Sequence, residues 1–438
     1  MQLKIDNIAK IGSANLTFDG LTVIIGDNDS GKSTVGKVLF TLFHSMSAAS
    51  GKVAAARRDY IFKHNGFIRL KRYFPLKSVL GEREPSRDEI RQVMRNIRNE
   101  ESHYSHRLGF AYAFDSALPM FADEMSIEKL ADDFYERILQ ARKLTDEVLA
   151  FDVLKDDLNG VFNGQALPNF NQDFGPSRAE LLVKGRTVSV TLDGADAGLR
   201  SETSLLHDAW FVGSPLILNS VAEKRSPSIH ELAHSDLVAA LRRSGVPNVV
   251  TKRIVRTELE PIYRLLNRRF SAEFVSTKEL PLGVMIGGMS KPLNAANLSM
   301  GLKTFALLTL MLDCDILKKE DVLILDEPEN HLHPAWQVAF AEIVVVLQKI
   351  FRLTILLTTH SPYFLEAIEL YSRKYRGYLQ LENPLKVYQP RQIDDLGRIG
   401  FDDVTSDLSA MYKKFSEPLR GLDWLRNEVS GGERLEGE

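Results

Sequence analysis

Lys32, Ser33 and Thr34 close a stretch whose spacing can hold a polyphosphate. Gly26-Asp27-Asn28-Asp29-Ser30-Gly31-Lys32-Ser33-Thr34 fills every fixed position of G-x-x-x-x-G-K-[ST]. In such a loop the backbone N–H groups turn inward, and a following helix adds partial positive charge at its N-terminus. Gly26, Asn28, Asp29, Ser30, Gly31 and Thr34 would form the cradle, Lys32 would reach the β- and γ-phosphates, and Ser33 would ligate Mg²⁺. Far along the chain, Asp321-Val322-Leu323-Ile324-Leu325-Asp326-Glu327-Pro328 puts an acidic pair after an apolar run. Asp326 suits a second contact to Mg²⁺, through water, and Glu327 suits polarising an attacking water. A third group follows: His360-Ser361-Pro362 comes directly after Leu353-Thr354-Ile355-Leu356-Leu357-Thr358-Thr359. A histidine there can contact a γ-phosphate and hold the attacking water.

Each group needs an element to aim it. Leu21-Thr22-Val23-Ile24-Ile25 is apolar and β-branched and reads as a buried strand. Lys32 to Ser45 reads as a helix with Val35, Val38, Leu39, Leu42 and Phe43 on one face. The runs before Asp326 and His360 read as two more buried strands. Open parallel sheets bind ligands at the carboxyl ends of their strands, so one shared edge would gather all three groups.

Together Gly26–Thr34, Leu325-Asp326-Glu327-Pro328-Glu329-Asn330-His331-Leu332-His333-Pro334 and Thr358-Thr359-His360-Ser361-Pro362 resemble the ABC-type ATPases. The resemblance is to their SMC, RecF-like and overcoming-lysogenisation-defect (OLD) branch. It implies an α/β fold: an ABC-type P-loop NTPase head, a mixed sheet with flanking helices, here carrying a helical insertion. It also implies ATP and Mg²⁺ as ligands, Glu327 and His360 as catalytic residues, and a homo-oligomer, at least a dimer, closed around ATP. The family signature corresponds to Asn297-Leu298-Ser299-Met300-Gly301-Leu302-Lys303, which departs from the usual pattern at Met300 and Leu302. Ser299, Gly301 and Lys303 would then meet the nucleotide of the partner subunit, with Ser299 capping a helix that runs to about Leu317. Gln165 is the candidate for the metal-sensing glutamine of the family, beside its reading as an ordinary loop residue. His331 and His333 read as dimer-interface residues rather than metal ligands. Val429-Ser430-Gly431-Gly432-Glu433-Arg434 imitates the signature but follows the acidic pair and precedes no apolar helix. It is expected to be a flexible tail.

The chain has 438 residues, 44% apolar and 26% charged, which suits a large head with an insertion. No apolar run approaches membrane-spanning length, no signal peptide is seen, and the single Cys314 excludes an internal disulfide. These features point to the cytoplasm, without membrane contact. Lys32 and Asp326 lie 294 positions apart, far more than in transporter ATPase subunits. The expected division is residues 1–50 and 160–220 as the first half of the head and 51–159 as the helical insertion. A helical arm with linking strands takes 221–295, the second half of the head 296–428, and the tail 429–438. Within the insertion, Ser126 to Asp152 reads as helix; Glu180–Val183 and Thr187–Leu192 read as a hairpin.

The net charge of −3 gives no general pull toward nucleic acid, yet Lys52 to Arg107 carries 14 Lys/Arg against 7 Asp/Glu. Arg242, Arg243, Lys252, Arg253, Arg256, Arg264, Arg268 and Arg269 form a second basic stretch. A DNA-binding arm, a solvated helical face and a dock for an acidic partner all have this appearance. The resemblance implies two functions to weigh. One is the sensor or regulatory subunit of a prokaryotic anti-phage defence system of Septu or PARIS type, with a separate effector nuclease or toxin. The other is a RecF- or SMC-like ATPase of DNA repair or chromosome maintenance. Only 78 residues follow His360, so a fused Toprim nuclease of the OLD kind is not expected.

Overall fold

The computed structural model describes residues 1–47, 49–63, 85–96, 124–167, 174–202, 205–223, 232–244, 249–268, 272–275, 280, 282–376 and 385–432. The chain divides into two compact units, 1–47 with 156–438, and 48–155.

The larger unit is built on one mixed sheet of eleven strands, flanked by helices, as the resemblance implies. In chain order the strands are β1 (Gln2–Ile8), β2 (Ile11–Thr17), β3 (Leu21–Ile25), β4 (Arg178–Val183), β5 (Arg186–Thr191), β6 (Gly198–Ser201) and β7 (Ala209–Val212). A separate three-stranded sheet holds β8 (Ala272–Val275), β9 (Gly283–Ile286) and β10 (Leu293–Asn294). The large sheet is completed by β11 (Val322–Asp326), β12 (Thr354–Thr359), β13 (Leu385–Gln392) and β14 (Ile399–Asp403). Its order is β6-β5-β4-β1-β2-β14-β13-β3-β12-β11-β7.

The half from β13 to β7 is parallel, and its inner strands β3, β12 and β11 are almost wholly buried, as strands covered on both faces are. All five residues of β3 are buried. The other half is antiparallel except where β14 meets β2 in parallel, and its strands alternate, as in β1, where Leu3, Ile5 and Ile8 point inward and Lys4 and Asp6 outward. The expected hairpin is β4–β5. Its turn is two residues, Lys184 (φ 49°) and Gly185 (φ 80°), with Arg186 already in the strand. Positive φ at both turn positions matches strand twist and needs a glycine at one of them.

Register brings the three sequence groups to one edge. Ile25 pairs with Thr359, and Thr358 with Asp326, so β3, β12 and β11 end level with one another. Helix Lys32–Met46 sits close on this sheet at Gly36, where an added Cβ would lie 3.0 Å from Ile324 Cγ2 and 3.3 Å from Phe211. The core continues above β11 and β12 through Phe305, Leu307, Phe340, Val344, Leu347, Phe364 and Ile368. Each such side chain contributes about 1.5–3 kcal/mol by leaving water.

Several boundaries differ from the expectation. The helix that Ser299 caps ends at Asp313, not near Leu317, because Asp315 turns to φ 53°. Within 221–295, Leu237, Ile262, Leu266 and Phe274 share the core of Phe305. The last helix, Ser409–Gly432, takes in the first four residues of the expected tail, and 433–438 lie outside the described residues. Among the described residues one helix, Pro334–Phe351, is long and apolar enough to cross a membrane. Phe340, Ile343, Val344 and Leu347 of that helix lie in the core.

The smaller unit packs Ile61, Phe62, Ile90, Met94, Phe134 and Ile138 together. The single helix expected over Ser126 to Asp152 is two, Glu124–Lys143 and Asp146–Val161. Thr145 makes the break, its hydroxyl accepting the Val148 N–H at 3.4 Å. Arg57 secures it by donating to the Ala141 and Leu144 carbonyls at 3.1 and 2.6 Å and by pairing with Asp146.

Candidate nucleotide site at the edge of the parallel sheet

Between β3 and helix Lys32–Met46 the chain makes a tight loop. Gly31 caps the helix at φ 78°, and Asp29 also takes positive φ, 59°. The Asp27 carbonyl accepts the Ser30 hydroxyl at 2.6 Å, and the Gly26 N–H donates to the Thr359 carbonyl at 3.3 Å. The Lys32 side chain is buried and curls back under the loop, donating to the Gly26 and Asp27 carbonyls at 2.9 and 2.7 Å. Its ammonium lies 3.4 Å from Glu327 Oε1. Two residues of one loop and one from the far end of the chain therefore meet around a single cation.

The acidic pair has two distinct surroundings. Asp326 Oδ1 accepts the Ser33 hydroxyl at 2.9 Å and the Thr358 hydroxyl at 2.6 Å. Burial raises its pKa, and these two bonds work against the rise. Glu327 stands at φ 48°, a costly backbone for a residue with a side chain, held by the bonds its N–H makes to Thr358 Oγ1 and O at 3.0 and 3.2 Å. Burial pushes the Glu327 carboxyl up, but the Asn330 amide, Lys32 and His360 together outweigh it and bring it below the usual range. Asn330 Nδ2 donates to Glu327 Oε2 at 2.9 Å, and His360 Nδ1 lies 3.7 Å from Glu327 Oε1. The result is one ionised carboxylate beside a cation and a histidine, next to a hydroxyl–carboxylate pair. Oxygen donors from a serine and an aspartate suit Mg²⁺, and Ser33 and Asp326 could hold that ion.

The structure thus gathers Lys32, Ser33, Asp326, Glu327 and His360. Gln165 stands apart from these contacts: it is exposed beyond helix Asp146–Val161, and its backbone N–H donates to the Phe162 carbonyl at 3.0 Å. No hydrogen bond or ion pair joins Gln165 to Ser33 or Asp326. At the edge where Asp326 emerges, the neighbouring loop is Gly213-Ser214-Pro215 after β7, lining a crevice with Asp326 and Glu327. Ser299 is exposed and caps helix Met300–Asp313, its hydroxyl accepting the Leu302 N–H at 3.5 Å. Gly301 lies against the loop after Glu327: an added Cβ would stand 3.0 Å from the His331 carbonyl. Lys303 is buried. His333 caps the next helix through Nδ1, which accepts the Ala335 N–H at 3.3 Å.

Thr358, Asn330 and Glu329 were not among the residues expected here. Thr358 had a signal, a hydroxyl one residue before the end of a strand that must pair with β11. Asn330 and Glu329 belong to a segment recognised only as a motif.

Asp29 puts a carboxylate at the mouth of the cradle, and Lys10 from the β1–β2 turn pairs with it. The pair is exposed, so its contribution is modest. Lys10→Ala is expected to weaken ATP binding about threefold by leaving Asp29 to repel phosphate, and Asp29→Gly in that background to restore it. Titration with a fluorescent ATP analogue measures both; unchanged affinity in Lys10→Ala would remove Lys10 from the site.

A phosphate loop on β3, an acidic pair on β11 and a histidine on the strand between them define a P-loop nucleotide-binding protein of mixed α/β architecture. The chain belongs to the family described as "AAA domain, putative AbiEii toxin, Type IV TA system", whose model matches residues 85–366. That span includes Asp326, Glu327 and His360 and leaves Gly26–Thr34 outside it. No curated protein matches the chain. Among solved structures it is similar to the SMC head domain from Thermotoga maritima, at 13% identity and a TM-score of 0.36, covering 92% of this chain and 98% of that one. It is also similar to an SMC head bound to the C-terminal winged-helix domain of ScpA, at 11% identity and a TM-score of 0.41, covering 94% and 98%. A third likeness is the SMC head with an extended coiled coil bound to the C-terminal domain of ScpA, from Pyrococcus furiosus, at 10% identity and a TM-score of 0.33, covering 96% and 98%.

Proposed function

We propose that this chain is an ABC-type ATPase that dimerises around ATP, hydrolyses it, and serves as the sensor or regulatory subunit of a prokaryotic anti-phage defence system. A separate effector, a nuclease or toxin, would carry the destructive chemistry. The observation that carries the ATPase reading is the convergence of Lys32, Ser33, Asp326, Glu327 and His360 on one sheet edge. The loop amides and Lys32 would bind the triphosphate, Ser33 and Asp326 would hold Mg²⁺, and the ion would neutralise phosphate charge. Glu327, kept ionised, would take a proton from the attacking water while His360 orients it. The exposed Ser299 helix end would contact the nucleotide of a second copy, so that closure depends on ATP.

The family's description speaks of a toxin in a Type IV TA system, which accords with a defence role. The DNA-binding alternative draws less support. Among the described residues of the smaller unit, Arg87 pairs with Glu136, Arg91 with Asp132, Arg95 with Glu128 and Arg57 with Asp146. Four acids beyond the 52–107 window thus offset part of the positive charge counted there. Residues 64–84 and 97–107 of that stretch lie outside the described residues.

The test takes the purified chain with ATP and Mg²⁺. Phosphate release and an ATP-dependent doubling of mass in light scattering are expected; neither occurring would defeat the reading. The chain alone is expected to leave DNA uncut, and cutting that persists in Glu327→Gln would overturn the division of labour with an effector.

A further inference from the structure

The Glu329 carboxyl is almost wholly buried, 1% exposed, two residues beyond Glu327. Its Oε1 accepts the Thr359 hydroxyl and the His360 N–H, the latter at 3.2 Å. Its Oε2 is buried without a hydrogen-bond partner. A buried carboxyl with an unmet oxygen is costly, and burial raises its pKa accordingly. A structure tolerates such a group where the bonds it does make are needed. Here they seize the end of β12 at the residue where the histidine leaves the sheet. The imidazole itself lies between two carboxylates, Nδ1 being 3.7 Å from Glu327 Oε1 and 3.9 Å from Glu329 Oε1. The Thr359 hydroxyl also accepts the Ser361 N–H at 3.0 Å, so Glu329, Thr359 and the backbone of 360–361 form one knot. On its other side Glu329 fixes its own loop, its carbonyl accepting the Leu332 N–H at 2.8 Å. That loop abuts Gly301 through the His331 carbonyl.

We propose that Glu329 is a positioning residue: it sets the imidazole of His360 against Glu327, and it ties that setting to the loop 329–333 beside the Ser299 helix. The inference rests on the hydrolytic reading above and deepens it. The Glu329 carboxyl is buried, and its bonds go to the Thr359 hydroxyl and the His360 N–H. It acts through His360, so its loss should cost turnover rather than binding, and cost little once His360 is gone.

The experiment compares the full chain with Glu329→Ala, Glu329→Gln, His360→Ala and the Glu329→Ala/His360→Ala double variant. Phosphate release gives kcat and KM, and a fluorescent ATP analogue gives affinity. Glu329→Ala should lower kcat about tenfold with affinity within about twofold, and Glu329→Gln, which keeps the accepting oxygen, should stay within about threefold of wild type. In the His360→Ala background Glu329→Ala should cost less than about twofold. Should Glu329→Ala fail to fold, Thr359→Val tests the same knot, with a kcat loss that likewise vanishes without His360. Losses that multiply independently, or an unchanged kcat in Glu329→Ala, overturn the proposal while leaving the ATPase reading intact. A wild-type chain that binds ATP and releases no phosphate overturns both.

Discussion

Glu327→Gln is expected to lower ATP turnover about 10³-fold while leaving ATP bound, the largest effect on activity the structure supports. The amide is nearly isosteric, so the contacts at φ 48° that hold its backbone on Thr358 are retained. What goes is the capacity to accept a proton and the attraction of Lys32, now 3.4 Å away. Released from that pair, Lys32 is freer to meet phosphate, so affinity should hold or rise. In the dimer reading the variant accumulates in the closed, ATP-bound form, visible as a long-lived species of doubled mass. The pH dependence follows from the direction of the carboxyl shift. Glu327 is held below the ordinary glutamate range, so it stays ionised as pH falls, and the acid limb of kcat/KM should lie below that range. By the same sign, its contribution to stability is present above its unfolded pKa and lost as pH falls through the folded one. Asn330→Ala removes the principal stabilising bond and should move the acid limb upward. Turnover near wild type in Glu327→Gln would disqualify this carboxylate as the base.

The parts of this site that could be read from residues alone share a physical cause. Parallel strands buried on both faces must be continuous apolar runs, so β3, β11 and β12 announce themselves, and the functional groups sit where the apolar runs stop. The phosphate loop is legible because close approach of backbone to phosphate needs glycine at fixed positions. Pairing across long sequence distances is not written locally. Thr358 reaches Asp326 only because β11 and β12 share a register, and Glu329 finds Thr359 thirty residues away through a loop that the chain itself must fold. Gln165 is hard to assign for the opposite reason: a loop glutamine after a helix looks alike whether it faces a metal or water. Net charge is likewise not a local property. A charge count over 52–107 omits Asp132, Glu136 and Asp146, which lie outside the window and next to its arginines in space. The break at Leu144-Thr145 was missed because helical periodicity survives a single cap residue.

The largest effect on stability is expected at Asp313, which is wholly buried at the C-terminal end of the helix that Ser299 begins. Arg256 grips it with two bonds, Nε and Nη2 donating at 3.2 and 3.1 Å, and the Tyr263 hydroxyl adds a third at 2.6 Å. The guanidinium also lies over the Tyr263 ring, 5.1 Å from its centre. Burial and the Asp313 charge both raise the Tyr263 pKa, so the phenol remains a donor. Arg256→Ala leaves Asp313 with Tyr263 alone, and an uncompensated buried carboxylate costs about 3–5 kcal/mol. Removing the charge as well should recover most of that: Arg256→Met with Asp313→Leu replaces the pair by apolar volume, which at other buried pairs is neutral or stabilising. Urea unfolding of wild type, single and double variants measures the series. A loss below about 1 kcal/mol in Arg256→Ala would mean that water reaches Asp313 in its place. The position of the pair gives the result a second use. It joins helices Val249–Glu258 and Glu260–Asn267 to the far end of the Ser299 helix. If that helix end faces the nucleotide of a second copy, the folded Arg256→Met/Asp313→Leu variant should keep its stability, and only its ATP-dependent mass doubling should report whether the polar tie also sets the helix's direction.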